Sequence, residues 1–182
     1  MKIIGITGTI GAGKGTIVDY LINNYGFTHY SVRQYLIMEA KKSGLPLNRD
    51  TYVEIANQLR ALHSPSFIID ELFYEAVRNG TNAIIESIRT LGEIDSLRAK
   101  ANFTLWAVDA EPKTRYYRII ARQSETDHIS YETFLANEQR EMNTDDSTKQ
   151  NLSECIRRAD VLFTNNKTVK ELYEQIEKVI EV

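Results

Sequence analysis

Apolar positions along the chain alternate between short unbroken runs and stripes at helical spacing. KIIGIT, from Lys2, reads as a buried first strand. Lys14 to Tyr25 carries Ile17, Leu21 and Ile22 along a helix that Gly26 stops. FTHYS is a short second strand, and Val32 to Ser43 reads as a helix ended by Gly44, with LPLNRD as a connection. Thr51 and Glu54 have the spacing of a capping box opening a helix through Leu62, while Ser64 and Pro65 predict the start of a helix that Gly80 follows. NAIIES is the third strand, TLGE a second capping-box spacing before a short helix, and FTLWAVDA the fourth strand. Pro112 begins a helix to about Arg122, the polar stretch QSETDHIS leads into another from about Ser130, DVLFTN is the fifth strand, and TVKE caps a last helix. Strands that keep alternating with helices predict an α/β fold, three layers (α/β/α) around a five-stranded parallel sheet.

With 182 residues the chain suits one domain, and 42% hydrophobic with 26% charged residues is an ordinary globular composition. A net charge of −3 with scattered Lys and Arg gives no footing for a nucleic-acid partner. No segment approaches the ~18 apolar residues of a membrane span, and the strand-like start has no basic and apolar leader. A cytoplasmic protein without a membrane partner is expected, its oligomeric state unspecified. The single Cys155 excludes an internal disulfide; His29, His63 and His128 lack metal-ligand spacing and read as surface or packing residues.

The densest chemistry lies in GITGTIGAGKGT, Gly5 to Thr16. Gly8, four residues, Gly13 and Lys14, set between a strand and a helix, form the pattern of a phosphate-binding loop. Glycines let backbone N–H groups curl around phosphate oxygens, the helix N-terminus adds positive dipole, and a lysine reaches the β and γ phosphates. Gly8, Gly11, Ala12, Gly13, Lys14, Gly15 and Thr16 are therefore expected to bind a nucleoside triphosphate.

GKGT, with Gly15 where a hydroxyl usually follows the lysine, resembles the nucleoside monophosphate kinase branch of P-loop proteins: adenylate kinases, deoxynucleotide monophosphate kinases and dephospho-coenzyme A kinases. That resemblance implies ATP and Mg²⁺, the metal held largely through water with Thr16 an indirect participant. HYSVRQYL stands where such kinases contact the acceptor; the match is loose, Val32 and Arg33 replacing a Gly and an Asp, and it implies Ser31 and Arg33 as acceptor contacts. IIESIRTLGEID resembles the DG-x-(P)-R segment of these kinases, and more closely the DGIR of uncharacterised archaeal and phage-type nucleotide kinases. Glu86 replaces the Asp, Ser87 the Gly, and Arg89 keeps the arginine, implying Glu86 beside the metal or acceptor and Arg89 on a phosphate. Arg115, Arg118 and Arg122 share one helix face and want an anion, or pair with Glu111 or Asp127 as a solvated stripe. The resemblance implies that Arg118 and Arg122 stabilise the transferring phosphoryl group and that Arg140 is a further lid arginine. RADVLFTNNKTVKEL resembles the end of dephospho-coenzyme A kinases, where Asn165 borders the adenine or simply forms the turn Asn favours. An acceptor-binding helical insertion at about 32–79 and a short lid at about 122–145 follow from the same likeness.

A monophosphate acceptor is already anionic and needs positioning, metal and arginines; a hydroxyl acceptor needs a base. The place where dephospho-coenzyme A kinases keep an Asp holds Ser31, Val32 and Arg33. The expected activity is therefore transfer of the γ-phosphoryl of ATP to a nucleoside or deoxynucleoside monophosphate, its partner a small nucleotide. Two alternatives stand beside it: a hydroxyl acceptor with Glu86 as base, and a slowly hydrolysing nucleotide switch or assembly module.

Overall fold

The computed structural model describes residues 1–122, 129–146 and 149–180. Its elements are β1 (Lys2–Gly8), α1 (Lys14–Tyr25), β2 (Thr28–Ser31), α2 (Val32–Lys42), α3 (Arg49–Leu62), α4 (Phe67–Asn79), β3 (Ala83–Glu86) and α5 (Leu91–Lys100). They continue with β4 (Asn102–Asp109), α6 (Pro112–Arg122), α7 (Tyr131–Met142), α8 (Leu152–Arg157), β5 (Val161–Thr164) and α9 (Val169–Glu177).

The strands form one parallel sheet in the order β2-β3-β1-β4-β5. β1 is central, Gly5 standing in register with Ile85 on one side and Leu105 on the other. Its side chains alternate between two cores, as the period of a strand requires. Ile3 packs with Ile85, Leu105 and the apolar faces of α2, α3, α4 and α5. Ile4 and Ile6 pack with Trp106, Phe163 and the buried faces of α1 and α9. Helices on both faces make the α/β/α layering expected of near-continuous apolar strands. With all strands parallel, their carboxyl ends share one edge, where ligands of such sheets bind.

Some boundaries differ from the sequence reading. α3 begins at Arg49, its cap supplied by Asn48, whose Oδ1 accepts from Thr51 N at 2.9 Å; Thr51 is thus inside the helix rather than its cap. α4 begins at Phe67 rather than Ser64, and the Pro65 carbonyl accepts from Thr90 Oγ1. Thr90–Glu93 and Thr168–Glu171 are capping boxes, as their spacing predicts. α8, too short to show a period among its polar neighbours, buries Leu152 and Cys155; burial pushes the Cys155 thiol up to about 12. Residues 123–128 of the expected lid, with Asp127 and His128, lie outside the described residues. Among the described residues no helix is long and apolar enough to cross a membrane.

Candidate functional site

β1 ends at Gly8, where φ is +140° and a Cβ would lie 2.1 Å from the Val108 carbonyl oxygen. A side chain there would push the loop off the sheet. Gly13, the N-cap of α1, has φ +110°, and a Cβ there would meet Asn165 Nδ2 at 2.4 Å. No side chain caps α1, its first turn has no acidic residue, and nothing lies within 4 Å of a Cβ built at Gly15. The first N–H groups of α1 thus remain available to an anion, with the helix dipole behind them. Lys14 Nζ donates to the Gly8 and Thr9 carbonyls, both at 2.9 Å. Burial of this ammonium, with the charges of Arg89 and Arg49, lowers it from 10.5 to about 7 against the opposing pull of Glu86 and Glu141.

Beside Lys14 opens a cavity of about 360 Å³. Ser31, Arg33 and Leu36 reach it from the β2–α2 junction, Arg49, Tyr52, Val53, Ala56 and Arg60 from α3, and Glu86, Ser87 and Arg89 from the end of β3. Ser31 Oγ also caps α2, accepting from Gln34 N. Arg122, Glu141 and Gln150 complete the polar wall. Ser87 has φ 73°, the one positive value at a non-glycine among the described residues, and Ser87 N and Ile88 N both donate to the Ile6 carbonyl. His29 Nε2 stands 3.2 Å from Glu86 Oε2, so this histidine belongs to the site's edge rather than to packing alone. Burial would raise the Glu86 carboxyl, yet the His29 hydrogen bond and the charges of Lys14 and Arg89 outweigh it and hold the group below the usual value.

The arginines are held in place by acids on other elements. Arg89 Nη1 donates to the Gly8 carbonyl at 3.2 Å, and its backbone N–H to Glu93 Oε2 at 2.7 Å. Arg60 donates from Nε and Nη2 to Glu93 Oε1. Glu141, nearly buried, pairs with Arg49 and lies 4.0 Å from Arg89 Nη1.

Of the residues singled out in the sequence, Gly11, Lys14, Gly15, Ser31, Arg33, Glu86, Arg89 and Arg122 line this one cavity. Gly8 contributes the carbonyl that Lys14 and Arg89 share, and Ala12 is buried in the α1–α9 core. Four others are placed elsewhere. Thr16 lies one residue along α1, off the wall. Asn165 is buried behind the loop with its Nδ2 donating to the Ala12 carbonyl, so its amide fastens the loop instead of reaching a base. Arg118 is off the wall, its Nη1 buried without a hydrogen-bond partner among the described residues. Arg140 is at the surface, 3.1 Å from Asp50. The expected stripe with Arg115 is also corrected: Arg115 is buried, takes both Glu138 oxygens through Nη1 and Nη2, and donates to the carbonyls of Ala110 and Ile10. Its two-pronged acidic partner is Glu138 rather than Glu111, and Asp127 lies outside the described residues.

Arg49, Arg60 and Glu141 were missed. Arg49, Val53, Ala56 and Arg60 recur at spacings of four, three and four, one face of α3, so RDTYVEIANQLR carried a signal for the first two. Glu141 had none, because its partners lie on α3 and beyond β3.

A family model described as an AAA domain matches residues 4–146. A UPF0200 protein of Methanococcus maripaludis is 31% identical over 189 residues, the match covering 100% of each chain. Among solved structures, TT1252 from Thermus thermophilus superposes with a TM-score of 0.64 at 22% identity, covering 98% of this chain and 95% of that one. Shikimate kinase from Bacteroides thetaiotaomicron gives 0.61 at 10% identity, covering 100% and 99%. At such identities the likeness carries the fold, which is that of the P-loop kinases.

Proposed function

Belonging as this chain does to the AAA domain family and, with its Methanococcus relative, to the UPF0200 proteins, we propose that it is a kinase transferring the γ-phosphoryl of ATP to a nucleoside or deoxynucleoside monophosphate. One observation carries the reading: an uncapped helix N-terminus with Lys14, Arg33, Arg49 and Arg89 border one cavity whose lining acids, among the described residues, are Glu86 and Glu141. Such an excess of cations suits two phosphate-bearing ligands meeting end to end. Lys14 and the loop amides, Gly8 to Thr16, take the triphosphate. Ser31, Arg33 and Arg89 hold the acceptor phosphate, with α2, α3 and α4, about 32–79, forming the acceptor side. Arg118, Arg122 and Arg140 neutralise the transferring group, the last two from the short lid at about 122–145.

The donor set fits Mg²⁺. Among the described residues no three His, Cys, Asp or Glu side chains gather, and a lone carboxylate with a hydroxyl suits a hard cation that keeps most of its waters. Glu86 would hold it largely through water, with Thr16, off the cavity wall, an indirect participant, and when bound it would neutralise phosphate charge. The low-lying carboxyl of Glu86 is a weak base, which favours an acceptor oxygen that is already ionised over a hydroxyl.

A coupled ADP-release assay with ATP and Mg²⁺ against monophosphates, nucleosides and dephospho-coenzyme A tests this. Turnover with one monophosphate is expected. Turnover with hydroxyl acceptors alone would reassign Glu86 as base, and silence across the panel would overturn the kinase reading. Lys14→Ala is expected to lower transfer by about 10³-fold or more in a folded protein, and Arg89→Ala to weaken acceptor binding far more than ATP binding.

A further inference from the structure

Arg60 differs from the other cations of the cavity. Its side chain is 1% exposed and Glu93 beside it 0%. Nε and Nη2 both go to Glu93 Oε1, at 3.1 and 2.9 Å. The pair is electrically closed, and a further full anion against it would bring unbalanced charge into the interior. Nη1 is left over: it is buried, has no hydrogen-bond partner among the described residues, and belongs to a side chain that forms part of the cavity wall. What suits the spare N–H of a neutral pair is a neutral acceptor oxygen, a carbonyl rather than a phosphate or carboxylate.

A second unmet group stands on the same wall. Gln150 Oε1 is buried and equally without a partner among the described residues. Hydrogen bonds tie the two neighbourhoods together, for Asn151 N donates to the Arg89 carbonyl, Arg89 N donates to Glu93, and Glu93 holds Arg60. The wall they share also carries the apolar side chains of Leu36, Val53 and Ala56 and the ring of Tyr52, against which a ligand's ring can pack. A spare donor and a spare acceptor beside such a surface match a heteroaromatic ring that carries a C=O next to an N–H.

We propose that the acceptor nucleotide bears a lactam-type base (uracil, thymine, hypoxanthine or guanine), its carbonyl read by Arg60 Nη1 and its ring N–H by Gln150 Oε1. This rests on the monophosphate reading above and narrows it. Adenine presents an amino group where the carbonyl would be, donor against donor.

The test is equilibrium binding to the unliganded protein, by calorimetry, of two pairs that differ at that edge: IMP against AMP, and UMP against CMP, with ATP measured alongside. In the ring size that the site accepts, the lactam member is expected to bind at least about tenfold more tightly, because a site built to hydrogen-bond a group rejects the analogue lacking it. Arg60→Lys keeps a charge opposite Glu93 but removes Nη1, and the paired substitution Arg60→Met with Glu93→Gln dissolves the ion pair as a neutral one; thermal melts report folding of each. In whichever folds, the preference is expected to fall to within about threefold while ATP affinity stands. Equal or reversed affinity within the accepted pair overturns the proposal, as does a preference that survives the substitutions. Failure of every monophosphate to bind while ATP binds overturns the parent reading and this one together. Selective lactam binding without phosphoryl transfer would sink the kinase reading alone and leave the base recognition standing.

Discussion

The Lys14 ammonium is surrounded by its own loop's carbonyls and by two arginines, and its protonation follows from those surroundings. With a folded value of about 7 against an ordinary 10.5, the unfolded chain binds the extra proton between those two pH values. Stability of the unliganded protein therefore rises with pH across that window, the burial penalty being fully present below pH 7 and relieved above it. Polyphosphate beside the ammonium restores its charge. ATP binding at pH 8 is accordingly expected to take up about 0.9 proton and at pH 6 almost none, measurable by calorimetry in buffers of different ionisation enthalpy; no uptake at pH 8 would contradict the lowered value. Ser87 gives a second test at this scale, since its φ of 73° is a glycine-like conformation. Ser87→Gly is expected to stabilise the fold by about 0.5–1 kcal/mol, read by thermal melting. The sequence already marked Ser87 as standing in a glycine's place. The pairing of His29 with Glu86 was hidden, because it depends on β2 lying beside β3 in register.

Among the elements, α5 does more than its ten residues suggest. Its capping box places Glu93 Oε2 under the backbone N–H groups of Arg89 and Thr90, and Glu93 Oε1 under Arg60. One helix start thus orients two arginines of the cavity. Thr90→Ala is expected to cost about 1 kcal/mol and, by loosening Glu93, to raise KM for the acceptor more than for ATP; a stability loss with both KM values unchanged would separate the cap from the site. TLGE announced this helix because a capping box is local in sequence. α3 was announced less well: Asn48, within the LPLNRD connection, takes the cap that Thr51 was expected to hold, shifting the helix start by three residues and bringing Arg49 inside it. α8 was not announced, being one and a half turns whose buried face is only Leu152 and Cys155.

Over the whole molecule, the alternation of apolar runs with helical stripes gave away the fold class, because the central parallel strands β1, β3 and β4 bury consecutive residues on both faces. The phosphate loop was equally visible, its glycines falling within eight successive residues, Gly8 to Gly15. What joins distant parts was not visible, since ion pairs such as Arg115–Glu138 and Arg49–Glu141 depend on which helices the sheet brings together. Arg115 links α6 and α7 to the phosphate loop through Glu138 and the Ile10 carbonyl. Removing it leaves Glu138 without its buried partner, and Arg115→Ala is expected to destabilise the protein by about 3 kcal/mol or more, measured by urea unfolding. The central position of β1 bears on how the chain is made. Its registered partners begin at Ala83 and Asn102, so β1 leaves the ribosome ahead of both and waits for the later one through about 5–20 s of synthesis. Until Ala83 follows, an isoleucine-rich segment has both edges open, and one edge stays open until Asn102; a chaperone that shields nascent apolar chains would find a client sequence in the residues that later carry the phosphate loop.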